Sequence, residues 1–293
     1  MKSLFTKTAW AVGFSAGLML SSCEDKESFA PMNETLPTDA GARLHANSAA
    51  DSSTLIKHGD ELLSYYADGR LKEVVYSNSK MDYGLNSLRV AYTYGYFSDW
   101  SQWVLATRYE NDFKTREMTW RVKDGKATDL ETAHYKLGSG GSPYLYTSAT
   151  FEYNGKQQLV KVVSSTPEIA TISFSYDGNG NLFKHLTTKG SGKSIKVENY
   201  NEYAYTDYVG GSLDIDHNRV INTHVFAPNG LHQIGDPYLP IFGKFGKNLV
   251  KIKKTSGPTF KFAHTLDAKG TVKAQKITYW DGELVKNKTF IYK

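Results

Sequence analysis

Residues 172–186 read Ile172-Ser173-Phe174-Ser175-Tyr176-Asp177-Gly178-Asn179-Gly180-Asn181-Leu182-Phe183-Lys184-His185-Leu186. Apolar and polar side chains alternate into Phe174 and Tyr176, the two-residue period of a strand with one buried face. Asp177 and Gly178 to Gly180 then offer residues that tolerate positive φ, and alternation resumes at Leu182. The stretch predicts a β-hairpin.

Looser copies lie on both sides of it. Leu62 to Tyr66, Ala67-Asp68-Gly69 and Leu71 to Tyr76 make one, and Arg121-Val122 before Asp124-Gly125 begins another. Phe151 to Tyr153 leads into Asn154-Gly155, with Leu159 to Val163 returning. Near the end, Leu266 to Val272 and Tyr279 to Leu284 repeat the theme around Gly270 and Gly282. After Gly69, Gly125, Gly180, Gly270 and Gly282 an apolar residue stands two places on (Leu71, Ala127, Leu182, Val272, Leu284). The turn should set the register that points each of them inward. No helical i, i+3, i+4, i+7 pattern runs for three turns after residue 54. Twenty Tyr and fourteen Phe, mostly in alternating stretches, suit strands. The expected fold is all-β: one antiparallel meander of hairpins over residues 55–293, curved or closed into a barrel-like sheet that hides its edges.

The chain opens differently. Lys2 and Lys7 precede an apolar run from Ala9 to Leu20, too short for a permanent span. Leu20-Ser21-Ser22-Cys23 resembles a bacterial lipobox, which implies cleavage before Cys23 and acylation there. An ordinary secretory peptide with an incidental cysteine is the alternative. Cys23 is the only cysteine, and it stands where the lipobox requires it. A lone thiol also rules out a disulfide within the chain. Residues 1–23 are therefore read as a lipoprotein signal peptide. Glu24-Asp25-Lys26-Glu27 resembles the surface-export signal of Bacteroidetes lipoproteins, with a solvated linker start as the other reading.

Residues 24–54 lack periodicity and read as a flexible tether. They hold six acids (Glu24, Asp25, Glu27, Glu34, Asp39, Asp51) against Lys26 and Arg43, so the surplus of a +5 chain lies beyond them. Lysines there either mark a face for anionic glycans or guard solvent-facing strands against edge pairing.

Tyr176-Asp177-Gly178-Asn179-Gly180-Asn181-Leu182 resembles a tyrosine-aspartate (YD) repeat, with Tyr66-Ala67-Asp68-Gly69-Arg70-Leu71 a shorter variant. Residues 238–252, Tyr-Leu-Pro-Ile-Phe-Gly-Lys-Phe-Gly-Lys-Asn-Leu-Val-Lys-Ile, are similar to a Bacteroidetes surface lipoprotein family of unknown function with a porin-like fold. That resemblance implies a barrel-like shape and brings no catalytic residues with it. The apolar runs read as shorter than most transmembrane strands need, so the barrel is expected to be soluble and held at the outer membrane by its lipid anchor.

Chemistry is sparse. Lys189-Gly190-Ser191-Gly192-Lys193-Ser194 imitates the end of a P-loop, but Thr187 stands where its first glycine belongs and a strand pattern follows. Asp177 to Asn181 spaces oxygen ligands like a calcium loop, without the later glycine and glutamate. Asp214, Asp216, His217, His224, His232 and Asp236 form a loose set of metal-type ligands with no paired spacing. Asp129 and Glu131 are an acid pair of the kind glycosidases use. No metal, cofactor or nucleic-acid partner is expected. The aromatic run from Tyr92 to Trp103 is different in kind. Tyr96, Trp100 and Trp103 are either a sugar-stacking platform or part of a core ladder alongside Tyr92 and Tyr94. Two functions are carried forward: a non-enzymatic binding or scaffold module for a glycan, lipid or surface protein, and a surface glycan hydrolase using loop carboxylates such as Asp214 and Asp216.

Overall fold

The computed structural model describes residues 54–77, 85–136, 141–165, 170–190, 196–209, 235, 236, 238–246, 248–268 and 270–293. Among them are sixteen strands and no helix. The first eight are β1 (Leu55–His58), β2 (Glu61–Tyr65), β3 (Leu71–Tyr76), β4 (Leu88–Tyr96), β5 (Gln102–Glu110), β6 (Phe113–Lys123), β7 (Lys126–His134) and β8 (Leu145–Tyr153). Then come β9 (Leu159–Ser164), β10 (Ala170–Tyr176), β11 (Leu182–Lys189), β12 (Lys196–Val209), β13 (Asn248–Thr255), β14 (Thr259–Leu266), β15 (Val272–Tyr279) and β16 (Leu284–Tyr292). Each pairs antiparallel with the next. β1 also pairs with β16, Leu55 facing Tyr292 and His58 facing Phe290, so the meander closes into a barrel. Closure leaves no edge to protect.

Register shows which way each side chain points. Tyr94, Val104 and Trp120 stand in one row across β4, β5 and β6, and Tyr92, Ala106 and Met118 in the next. All but Tyr94 are at most 2% exposed, so these rows face inward. The alternate rows face out: Thr93, Leu105, Thr119, Glu131 and Ser148 in one, Lys184, Glu202 and Lys254 in another. A lipid-facing barrel carries an apolar outer band around a polar interior, a band that these two outer rows do not show. Among the described residues seven strands have 9 to 14 residues, but β1, β2, β3, β9, β10, β11, β13, β14 and β15 have only 4 to 8, short of the about 9–11 that a bilayer needs. The outer face is mixed: beside these polar rows Leu62, Val75, Phe183 and Ile291 are exposed.

Six turns share one geometry. In each, the first residue's N–H donates to the carbonyl four residues on, and the N–H three residues on donates back. The pairs are Tyr66 and Arg70, Phe97 and Ser101, Asn154 and Gln158, Asp177 and Asn181, Asp267 and Thr271, and Tyr279 and Glu283. The residue at the fourth place has positive φ: Gly69 (82°), Trp100 (62°), Gln157 (62°), Gly180 (85°), Gly270 (80°) and Gly282 (98°). In the central hairpin only Gly180 takes this conformation and Gly178 does not. In the Asn154 turn Gln157 takes it instead of Gly155. Leu71, Ala127, Leu182 and Val272 point inward as expected, but Leu284 is 51% exposed. Its turn has the usual form, yet Leu284 faces Thr278, and the inward row on β15 runs through Ile277.

Four strand tyrosines have a mechanical role. Tyr65, Tyr94 and Tyr176 each donate a hydroxyl to the carbonyl of a leucine opening the preceding strand: Leu55 (2.6 Å), Leu71 (2.8 Å) and Leu159 (2.8 Å). Tyr205 does the same to Leu182. β2, β4, β10 and β12 are thus each tied to the strand before them, beyond the ladder itself.

The core lies inside the barrel, and part of it comes from the β12–β13 connection. Leu239, Ile241, Phe242 and Phe245 are each at most 1% exposed. Phe242 meets Trp120 and Phe151, and Phe245 meets Phe174. Main-chain bonds seat the segment on the strands: Ala127 N–H to Ile241 (2.8 Å), Leu182 N–H to Phe245 (2.8 Å) and Lys244 N–H to Gln157 (3.2 Å). Gly243 lies against the Asn154 turn so closely that a Cβ would stand 2.4 Å from the Gln157 carbonyl. Residues 238–246 therefore plug the lumen.

Candidate functional site

Three places carry more chemistry than packing requires. The first is the anchor of the plug. The Tyr92 hydroxyl donates to Asp236 Oδ2 at 2.5 Å, and the Tyr238 N–H donates to Asp236 Oδ1 at 2.9 Å. Tyr238's hydroxyl lies 2.8 Å from His58 Nδ1, and Lys288 Nζ lies 3.4 Å from His58 Nε2. Burial, then the Asp236 charge, pushes the Tyr92 phenol well above its ordinary value. Asp236 thus binds plug to wall. Asp214, Asp216, His217, His224 and His232 lie outside the described residues. Among the described residues no three His, Cys, Asp or Glu side chains form a metal-holding group. The Asp177 oxygens are engaged within their own turn by Asn181, at 2.8 and 3.3 Å. Asp129 and Glu131 stand on the outer face of β7, in register with Thr150 and Ser148. Lys189 ends β11, Gly190 follows it, and Ser191 to Ser194 lie outside the described residues.

The second place is the corner between β4 and β5. Tyr96 faces the lumen, paired with Gln102, whose amide nitrogen lies 3.2 Å from its hydroxyl. Trp103 faces outward and lies over Gly95, where a Cβ would come within 2.3 Å of its ring. Its indole N–H reaches the Tyr96 carbonyl at 3.2 Å. Trp100 sits at the turn and is 78% exposed. The three rings therefore share no single face. Tyr92 and Tyr94 belong to the inner ladder. Beside Trp100, Arg121 stacks on Phe97 at 4.0 Å and donates to Asp99 (2.8 Å) and Ser101 (2.9 Å). The Ser101 hydroxyl and N–H also hold the exposed Asp99 carboxyl below its usual range. An exposed indole flanked by a fixed guanidinium and carboxylate can stack on a flat ligand while bonding its edge.

The third place is the inner wall of the barrel, which composition did not reveal. Register puts Arg108, Arg116, Lys253, Lys286 and Lys288 on the inward face, against Glu61 and Glu110. Lys253 is 7% exposed, and burial brings its pKa down from 10.5 to about 8. His185 is fully buried beside Tyr203, and burial with the Lys253 charge lowers its pKa from 6.5 to about 3. Thr187 Oγ1 and Gln275 Oε1 are buried without a hydrogen-bond partner. These inward polar residues follow from the strand registers and not from alternation alone.

No family model matches the sequence, and no curated protein matches it significantly. Among solved structures, a porin-like protein from Bacteroides vulgatus ATCC 8482 aligns with a TM-score of 0.53 at 13% identity, over 83% of this chain and 99% of that one. A porin-like protein from Bacteroides uniformis ATCC 8492 aligns with a TM-score of 0.45 at 15% identity, over 80% and 88%. The likeness to the first is one of fold: this chain has a porin-like, all-β barrel.

Proposed function

We propose that the chain is a non-enzymatic binding module, acylated at Cys23 and displayed at the outer membrane, which uses the outside of a plugged barrel to hold a glycan. The observation that carries this reading is Trp100. It occupies a turn position that Gly69, Gly180, Gly270 and Gly282 fill in four of the other five turns and Gln157 in the fifth, at a φ of 62° that bulky side chains resist. Holding a non-glycine residue there costs about 1–3 kcal/mol, and nothing is returned by burial because the ring is exposed. A large apolar ring left exposed at this strain, where the Asn154 turn has only the polar Gln157, suits a surface kept for an external partner. The plug and the polar outer rows suit a scaffold better than a conduit.

Trp100→Gly is expected to leave stability unchanged or raise it by up to about 1 kcal/mol, while abolishing glycan capture on an array probed with the full chain. An array on which wild type and variant behave alike would remove the site. Anchoring has its own test. Cys23→Ala should move the protein from the membrane fraction to the soluble one. Replacing Glu24, Asp25 and Glu27 by Ala should leave it lipidated but shielded from protease on intact cells.

A further inference from the structure

On the inner wall, Arg108 of β5 and Arg116 of β6 are direct cross-strand partners, and His134 of β7 follows Arg116 in the same row. Like charges directly opposite one another destabilise a strand pair, the more so when they face inward. One carboxylate answers two guanidiniums: Glu110 Oε1 accepts from Arg108 Nε at 2.7 Å. Arg116 has no hydrogen-bond or ion-pair partner among the described residues. Burial, then the facing Arg108, holds its pKa below the ordinary arginine value. The exposed Tyr144 ring leans over His134, with centroids 6.3 Å apart, at the end of the same row.

We propose that this row is a binding site for an oxyanion, a carboxylate or phosphate group on a small ligand, which lies between Arg108 and Arg116 and completes their charge balance. A guanidinium fork matches such a group with two parallel hydrogen bonds, which an ammonium cannot do. The opposed pair therefore favours a planar or tetrahedral oxyanion over a halide. The site is independent of the Trp100 corner: it lies on the other face of the sheet, and either can fail without the other.

The test is calorimetric titration of the full chain with sodium phosphate and with sodium acetate, against sodium chloride at equal ionic strength. Saturable binding of phosphate or acetate is expected, and which of the two binds more tightly assigns the group. Arg116→Gln should weaken it at least tenfold and should raise the melting temperature in anion-free buffer, since it removes the like-charge contact. Arg116→Lys should keep the charge but recover only part of the affinity. Lys253→Met, seven strands round the barrel from β6, should leave affinity within about twofold and so separate a local site from a general positive field. Heat that chloride reproduces, affinity unchanged in Arg116→Gln, or an equal loss in Lys253→Met would each overturn the assignment.

Discussion

Phe242→Ala is expected to cost about 3–5 kcal/mol of stability and to lower the melting temperature by on the order of 10 °C. The ring is fully buried and lies within 6.0 Å of Trp120 and 5.7 Å of Phe151, centroid to centroid. Truncation would leave a cavity where two walls of the barrel meet the plug. The neighbouring main chain cannot collapse into it. Ala127 N–H is bonded to the Ile241 carbonyl, and Gly243 lies against Gln157. Phe113→Ala is the matched control. It removes the same ring from a position that is 49% exposed and should shift stability by no more than about 0.5 kcal/mol. Equal melting of the two variants would show that the plug is not part of the cooperative unit.

The barrel was legible because its turns are written in glycine and its strands in alternation. Gly69, Gly125, Gly180, Gly270 and Gly282 all sit at positive φ. The β5–β6 turn carries no such mark: Asn111 and Asp112 take φ of 49° and 64° without a glycine, a conformation those two residue types tolerate. Residues 238–246 resemble strand only through their apolar content. Pro240, Gly243 and Gly246 interrupt an unalternating run whose Leu239, Ile241, Phe242 and Phe245 are buried while Pro240 and Lys244 are exposed, and this is the pattern of a loop seated on a core. Trp100 stood out as an aromatic residue, but its backbone conformation cannot be read from composition. Only alignment of its turn with the five similar ones shows it in a place usually taken by glycine. The inward polar residues were hidden for another reason. A strand with Arg, His and Lys on both faces has no contrast for periodicity to detect, and Arg108 and Arg116 become a pair only once the register is known.

Acid should destabilise this barrel progressively from pH 6.5 downward, before most carboxylates titrate. His185 and His264 are inward on β11 and β14, and burial lowers their pKa values from 6.5 to about 3 and about 4. Both folded values are depressed, so each ring contributes stability that is present above pH 6.5 and is lost as pH falls towards its folded pKa. One pKa unit corresponds to about 1.4 kcal/mol, so lowering the pH from 7 to about 4.5 should remove roughly 2–3 kcal/mol for each ring. Glu61 acts in the opposite sense. Burial raises its carboxyl pKa, so protonation on acidification relieves part of its cost. The histidine terms win because there are two of them and both shifts are large. Urea unfolding at the two pH values should show the midpoint falling steeply in the wild type. His185→Phe, which sets an apolar ring beside Phe174 and Tyr203, should flatten the slope by about half. An unchanged slope in that variant would assign the acid sensitivity to other groups.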